Sequence, residues 1–239
     1  MTGSSRPHVL LLPGLLCDAS VWLQQSEALE DVADVTIADF SELDDFTDMA
    51  RASLALVEHV EGPVDVVGHS MGGRVALEVW RIAPRRVRSL VLLDTGVHGV
   101  RPGEAESRQV LLDVSATQGM SALADAWLPP MVHPDRRTDA ALMDELHAMV
   151  MRASPEQHLR QINALLTRPD ATSLLGTITV PTLVVAGRHD EWSPVAQHEQ
   201  IADAITGARL EIVEESGHMT TVERPDEINS LLRGWLKDR

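Results

Sequence analysis

The stretch Val64–Arg74, VDVVGHSMGGR, decides how the rest of the chain is read. Val64, Val66 and Val67 form a short apolar run, Gly68-His69-Ser70-Met71-Gly72 follows, and Val75, Ala76, Leu77 and Val79 continue in a helical pattern. A strand that turns straight into a helix strains the backbone of the residue at its apex, and side chains at the flanking positions would collide with neighbouring backbone. Gly68 and Gly72 meet that demand. Such a turn lifts the Ser70 hydroxyl away from the sheet. It also sets the Met71 amide at a helix N-terminus, where free N–H groups and the helix dipole favour developing negative charge. Ser70 is therefore the candidate nucleophile, and Met71 N–H a candidate donor to an oxyanion.

A serine hydroxyl is a poor nucleophile at neutral pH unless an imidazole takes its proton and later returns it to the leaving group. Of the ten histidines, His218 is the best placed, in a Ser216-Gly217-His218 loop between the last strand and the terminal helix. His189 ranks second, and His69, next to the nucleophile, is expected to project the other way. The imidazole needs a carboxylate to fix its tautomer and stabilise its cation. Asp190, closing the penultimate strand, is preferred to Asp94, at the end of the fourth strand, and to Glu191; Asp94 is read as a loop anchor. The second oxyanion donor is expected from the loop after the first strand, at Leu15, just beyond Pro13-Gly14.

Outward from this turn the chain alternates. Strands are expected at His8–Leu12, Val35–Ala38, the Val64 run, Ser89–Leu93, Thr182–Ala186 and Arg209–Val213. Helices lie between them, including Thr47–Val60 with Thr47 as its cap, one opened by Ser193-Pro194, and a terminal one over Pro225–Leu236. From Gly99 to Thr172 no strand is expected, only helices over 104–117, 119–127, 139–153 and 155–167. The fold class is α/β: a doubly wound, mainly parallel six-stranded sheet with an all-helical insertion. Residues 1–98 and 173–239 form its core and 99–172 a helical cap. The cap holds five of the nine methionines, which fill gaps between helices, form an adaptable apolar lid, or both. Leu16, Trp127, Met131, Met149 and Met219 are the candidates for substrate contact.

Composition narrows the function classes. A net charge of −16 argues against nucleic acid or an anionic membrane as partner. No apolar run reaches membrane-spanning length, and no apolar segment precedes the first strand, so a cytoplasmic location is expected. The single cysteine, Cys17, excludes an internal disulfide framework and is read as packing. No metal-ligand spacing and no dinucleotide or phosphate-loop fingerprint is present, so no cofactor and no metal are expected. His198-Glu199 is read as a solvated helix face. The partner is a small molecule, and the chain a monomer or homodimer.

Taken jointly, LLLPGLL-CDASVW, VVGHSMGGRVALE, LVLLDT, VPTLVVAGRHDEWSP and ESGHMTTVERPDEI resemble the α/β-hydrolase-fold superfamily over nearly the whole chain, in particular its small bacterial carboxylesterase- and lactonase-like members. The order Ser70, Asp190, His218 is the nucleophile–acid–base order of that fold. The resemblance implies a helical cap inserted after the strand ending at Asp94, and the absence of the first two antiparallel strands of larger members. Pro13 departs from the histidine that many relatives carry before the glycine. The family also includes C–C bond hydrolases, perhydrolases, hydroxynitrile lyases and hormone receptors, and fold does not choose among them. A serine hydrolase acting on a small-to-medium apolar ester or lactone is expected. The alternatives are the same triad used for C–C hydrolysis, perhydrolysis or cyanohydrin cleavage, and a weakly catalytic ligand-binding protein.

Overall fold

Six strands pair into one sheet in the computed structural model, which describes residues 6–237. Residues 1–5, within the stretch where no export segment is expected, and residues 238–239 lie outside it. The strands are β1 (His8–Leu12), β2 (Asp34–Ile37), β3 (Val64–His69), β4 (Val87–Leu93), β5 (Thr182–Gly187) and β6 (Arg209–Val213). Their order is β2-β1-β3-β4-β5-β6, and every pairing is parallel. Leu10, Leu11 and Leu12 of β1, and Val64 and Val66 of β3, are sealed from solvent, as strands covered on both faces must be.

The helices between the strands are α1 (Leu23–Leu29), α2 (Phe46–Leu56) and α3 (Met71–Ile82), then α4 (Glu104–Trp127), α5 (Ala140–Arg152), α6 (Pro155–Thr167) and α7 (Thr172–Leu175). After β5 come α8 (Val195–Ala204), α9 (Thr220–Glu223) and α10 (Pro225–Lys237). The connection from β1 to β2 runs one way across the sheet and every later one runs the other way. Right-handed crossovers therefore put α1 on one face and α2, α3 and α8 on the opposite face. α10 returns to pack on α1, burying Ile228, Leu232 and Trp235 at a helical spacing. Each such side chain is worth about 2 kcal/mol of apolar burial. The strand order reverses between β1 and β3, and the loops beyond their carboxyl ends, Pro13–Asp18 and Ser70, open at that crevice.

Several boundaries differ from the sequence expectation for local reasons. The helix expected from Thr47 starts at Phe46, because the Asp45 carboxylate caps it by accepting from Thr47 N at 2.8 Å and Asp48 N at 3.1 Å. It stops at Leu56 because Val57 leaves helical geometry, with φ −111° and ψ 16°. The stretch before α1 is a turn of tighter helix, Ala19–Trp22, capped by Asp18. The two helices expected over 104–127 run as one element broken at Gly119, whose φ of 87° and ψ of 177° interrupt the helix. No strand lies among residues 99–172.

The turn between β3 and α3 is as tight as its glycines imply. A Cβ on Gly72 would lie 2.0 Å from the Leu12 carbonyl oxygen, and one on Gly68 2.3 Å from the oxygen of Gly72 itself. Because the Gly72 obstacle is backbone, Gly72→Ala is expected to destabilise the fold by about 2–3 kcal/mol in urea unfolding. A loss below about 0.5 kcal/mol would mean that β1 and α3 are not held this closely.

Candidate active site

Ser70 is the one residue between β3 and α3, and its backbone is strained, at φ 56° and ψ −115°. Such a conformation costs about 1–3 kcal/mol and persists only where its surroundings over-determine it. Here Ser70 N donates to Leu93 O at 2.8 Å, and the Thr95 hydroxyl donates to Ser70 O at 2.6 Å. Both partners come from β4 and the loop after it, so the neighbouring strand fixes the turn.

The loop after β6 brings His218 to this serine. His218 Nε2 lies 2.7 Å from Ser70 Oγ, and His218 Nδ1 lies 2.7 Å from Asp190 Oδ2. The other oxygen of Asp190 accepts from Trp192 N at 2.8 Å and Ser193 N at 2.9 Å, which points the carboxylate at the imidazole. Histidine and aspartate are both nearly removed from water, at 5% and 4% exposure. Burial alone would push the His218 pKa down, but the Asp190 charge and hydrogen bond outweigh it and hold the pKa above the ordinary histidine value. Asp190 is likewise held below the usual carboxylate range by His218, against its own burial. The arrangement can take a proton from a serine oxygen and stabilise the resulting imidazolium.

Asp94, the competing carboxylate, has a different task. Its Oδ1 accepts from Gly187 N at 2.9 Å, and its Oδ2 accepts from the Thr220 hydroxyl at 2.5 Å, so it ties β5 to α9. Burial and the neighbouring Asp190 charge push its pKa well above the usual carboxylate range.

Several residues that hold the site are not apparent from sequence. His69 Nε2 donates to the His218 carbonyl at 2.7 Å, and burial followed by the nearby His218 lowers the His69 pKa to about 3, so it remains a neutral donor. His218 N donates to Met131 O at 2.8 Å. Glu223 accepts from Gly217 N and His133 N, each at 2.8 Å, joining the histidine loop to the segment that follows α4. A Cβ on Gly187 would lie 1.9 Å from Gly217 O, so the β5 and β6 loops pack backbone to backbone. His198 corrects the expectation of a solvated face: it is fully buried and accepts from Thr95 N at 2.9 Å. Apart from Gly217 to Glu223, these contacts join residues dozens to more than a hundred positions apart, and no periodic signal in the sequence marks them.

A cavity of about 100 Å³ opens beside Ser70 and His218, lined also by Leu15, Met71, Trp127 and Met131. Of the other candidates for substrate contact, Leu16, Met149 and Met219 are buried and line neither this cavity nor the larger one beside it. Leu16 instead donates its amide to Gln161 Oε1 at 2.8 Å. Burial pushes the Cys17 thiol up to about 12, which leaves it unreactive. His189 stacks edge-on against His133 with ring centres 4.4 Å apart and does not line the cavity beside Ser70. The lining is less apolar than the methionine count suggests: Met131 is the one methionine of the cap stretch on it, and Arg74 and Arg108 share the wall. Among the described residues no three His, Cys, Asp or Glu side chains are grouped to hold a metal ion, and no helix is long and apolar enough to cross a membrane.

Comparisons with known proteins agree with this architecture. The model of the alpha/beta hydrolase family matches residues 9–231. RutD of Stutzerimonas stutzeri, a proposed carbamate hydrolase, is 26% identical over 98% of this chain and 92% of its own. The malate-bound thermophilic esterase of Thermogutta terrifontis superposes with a TM-score of 0.89 at 26% identity, covering 99% of this chain and 91% of that one. The enol-lactonase of Burkholderia xenovorans shares the fold with a TM-score of 0.87 at 23% identity, covering 99% and 94%.

The two carboxylates separate by mutation. Asp190→Asn is expected to lower kcat/KM by about three to four orders of magnitude, and Asp94→Asn by less than about a hundredfold, in variants whose circular dichroism matches wild type. The reverse ranking would assign the acid to Asp94.

Proposed function

Since the chain belongs to the alpha/beta hydrolase family, we propose that it is a serine hydrolase that cleaves a carboxylic ester or lactone through an acyl-enzyme. The observation that carries this reading is the unbroken hydrogen-bonded path from Ser70 Oγ through His218 to Asp190, with both links at 2.7 Å. Ser70 attacks the acyl carbon while His218 Nε2 takes the hydroxyl proton. The tetrahedral intermediate collapses when the same nitrogen returns that proton to the leaving oxygen. A water then repeats the sequence in reverse and frees the acid. Asp190 stays ionised throughout and steadies the imidazolium.

The oxyanion is assigned to the amides of Leu15 and Met71. Both residues line the Ser70 cavity, and Met71 opens α3, where the helix dipole adds to its N–H. Residues 99–172 act as a cap: Trp127, Met131 and Leu165 from this stretch stand over the serine. Similarity to an esterase, an enol-lactonase and a proposed carbamate hydrolase favours acyl transfer over the other reactions open to the same triad. The lone, buried Cys17 suits a reducing cytoplasm.

A fluorophosphonate probe is expected to label the wild-type protein at Ser70 and to leave Ser70→Ala unlabelled. His218→Ala is expected to lower kcat for a p-nitrophenyl ester by about three to six orders of magnitude. Equal labelling of Ser70→Ala would remove Ser70 as the nucleophile.

A further inference from the structure

The cavity beside Ser70 continues into a larger one of about 370 Å³, and Leu15, Arg74, Arg108, Trp127, Trp192 and Ser193 line both. The larger cavity is lined by four arginines, Arg74, Arg101, Arg108 and Arg168, and a single acidic residue, Glu104. In a chain of net charge −16 with only 20 basic residues, four arginines on one wall are a local reversal of sign. Glu104 is already shared. Arg168 Nη1 and Nη2 each donate to one of its oxygens at 2.7 Å, and Arg108 Nε donates at 2.9 Å.

Arg74 is left over. Its Nη1 donates to the His98 carbonyl at 2.9 Å, and it forms no ion pair with a carboxylate among the described residues. Burial, then the neighbouring Arg168, lowers its pKa to about 9, so it stays charged at neutral pH in a setting that an anion would relieve. Ser70 immediately precedes α3 and Arg74 lies in its first turn, and both residues line the smaller cavity. A group held by this guanidinium is therefore tethered next to the nucleophile. The Glu104–Arg168 fork shows, within the same cluster, how a carboxylate is received: two parallel N–H···O bonds of equal length.

We propose that this wall is an anion site and that the substrate carries a free carboxylate on its acyl or alcohol part, bound by Arg74 with Arg108 beside it. The proposal rests on the hydrolase reading above and names the substrate class of that same site. The ester bond lies over Ser70 in the smaller cavity and the carboxylate in the larger one. Rate enhancement comes from positioning, since the anion takes no part in bond making or breaking.

Matched substrates test it: monoethyl glutarate against ethyl pentanoate for the acyl side, and acetoxybutanoate against butyl acetate for the alcohol side, followed by pH-stat. In at least one pair the anionic member is expected to have the higher kcat/KM by about tenfold or more, and Arg74→Gln is expected to remove at least about tenfold of that ratio. Arg74→Lys should retain part of it, and Arg108→Gln, on another helix, should lower it independently. Equal or reversed preference in both pairs, with Ser70 still labelled by the fluorophosphonate, overturns the anion site and leaves the hydrolase reading standing. Absence of both turnover and labelling overturns the hydrolase reading. Calorimetric titration of the wild-type protein with glutarate then decides the anion site alone: binding that Arg74→Gln abolishes supports it, and no binding overturns it. Tighter binding of inorganic phosphate than of glutarate would overturn the assignment to a carboxylate.

Discussion

The hydrogen bond between His218 Nδ1 and Asp190 Oδ2, 2.7 Å long and almost sealed from solvent, is what the surrounding loops are arranged to hold. Each partner is fixed from its own side. Asp190 is aimed by two amides of the loop it begins, while His218 is held at its amide by Met131 and at its carbonyl by His69. Around this pair, Asp94 ties Gly187 to Thr220, and Glu223 ties Gly217 to His133. The result is a set of buried polar groups whose partners lie on different loops and elements. That is why the loops after β3, β4, β5 and β6 have one arrangement rather than many.

Burying so many ionisable groups is tolerable because their charges are kept few. Burial presses the His69 pKa down and the Asp94 pKa up, which directs both toward their neutral forms. At Asp190, whose pKa is lowered, two backbone amides and His218 offset its desolvation. The same economy explains Cys17, which stays a neutral thiol beside the site and serves as packing.

Much of this was legible in the sequence, and the remainder was not, for a physical reason. The central strands read clearly because residues such as Val9–Leu12 and Leu90–Leu93 are buried on both faces and leave unbroken apolar runs. The meeting of Ser70, Asp190 and His218 was legible because each follows a strand, and parallel strands deliver their following loops to one edge. Contacts such as His133 to Glu223 or Gln161 to Leu16 join positions 90 and 145 residues apart, and a linear pattern carries no trace of them. His198 misled because a histidine beside a glutamate looks solvated until the loop after β4 is laid across it. Arg74, Arg108 and Arg168 are not marked for the same reason: they stand far apart in the sequence, and only the folded chain brings them to the wall of one cavity. Methionine content therefore overstated how apolar that space is.

Electrostatic preorganisation thus links fold to chemistry: parallel strands fix the loops, the loops fix one charged pair, and that pair sets the proton affinity of the imidazole next to Ser70. The most direct measurement is an NMR titration of the His218 ring in the resting protein, assigned by its disappearance in His218→Ala. A midpoint above the unperturbed histidine value of about 6.5 is expected, because the Asp190 carboxylate outweighs burial. A midpoint below that value, or one unchanged in Asp190→Asn, would contradict the coupling on which the site is built.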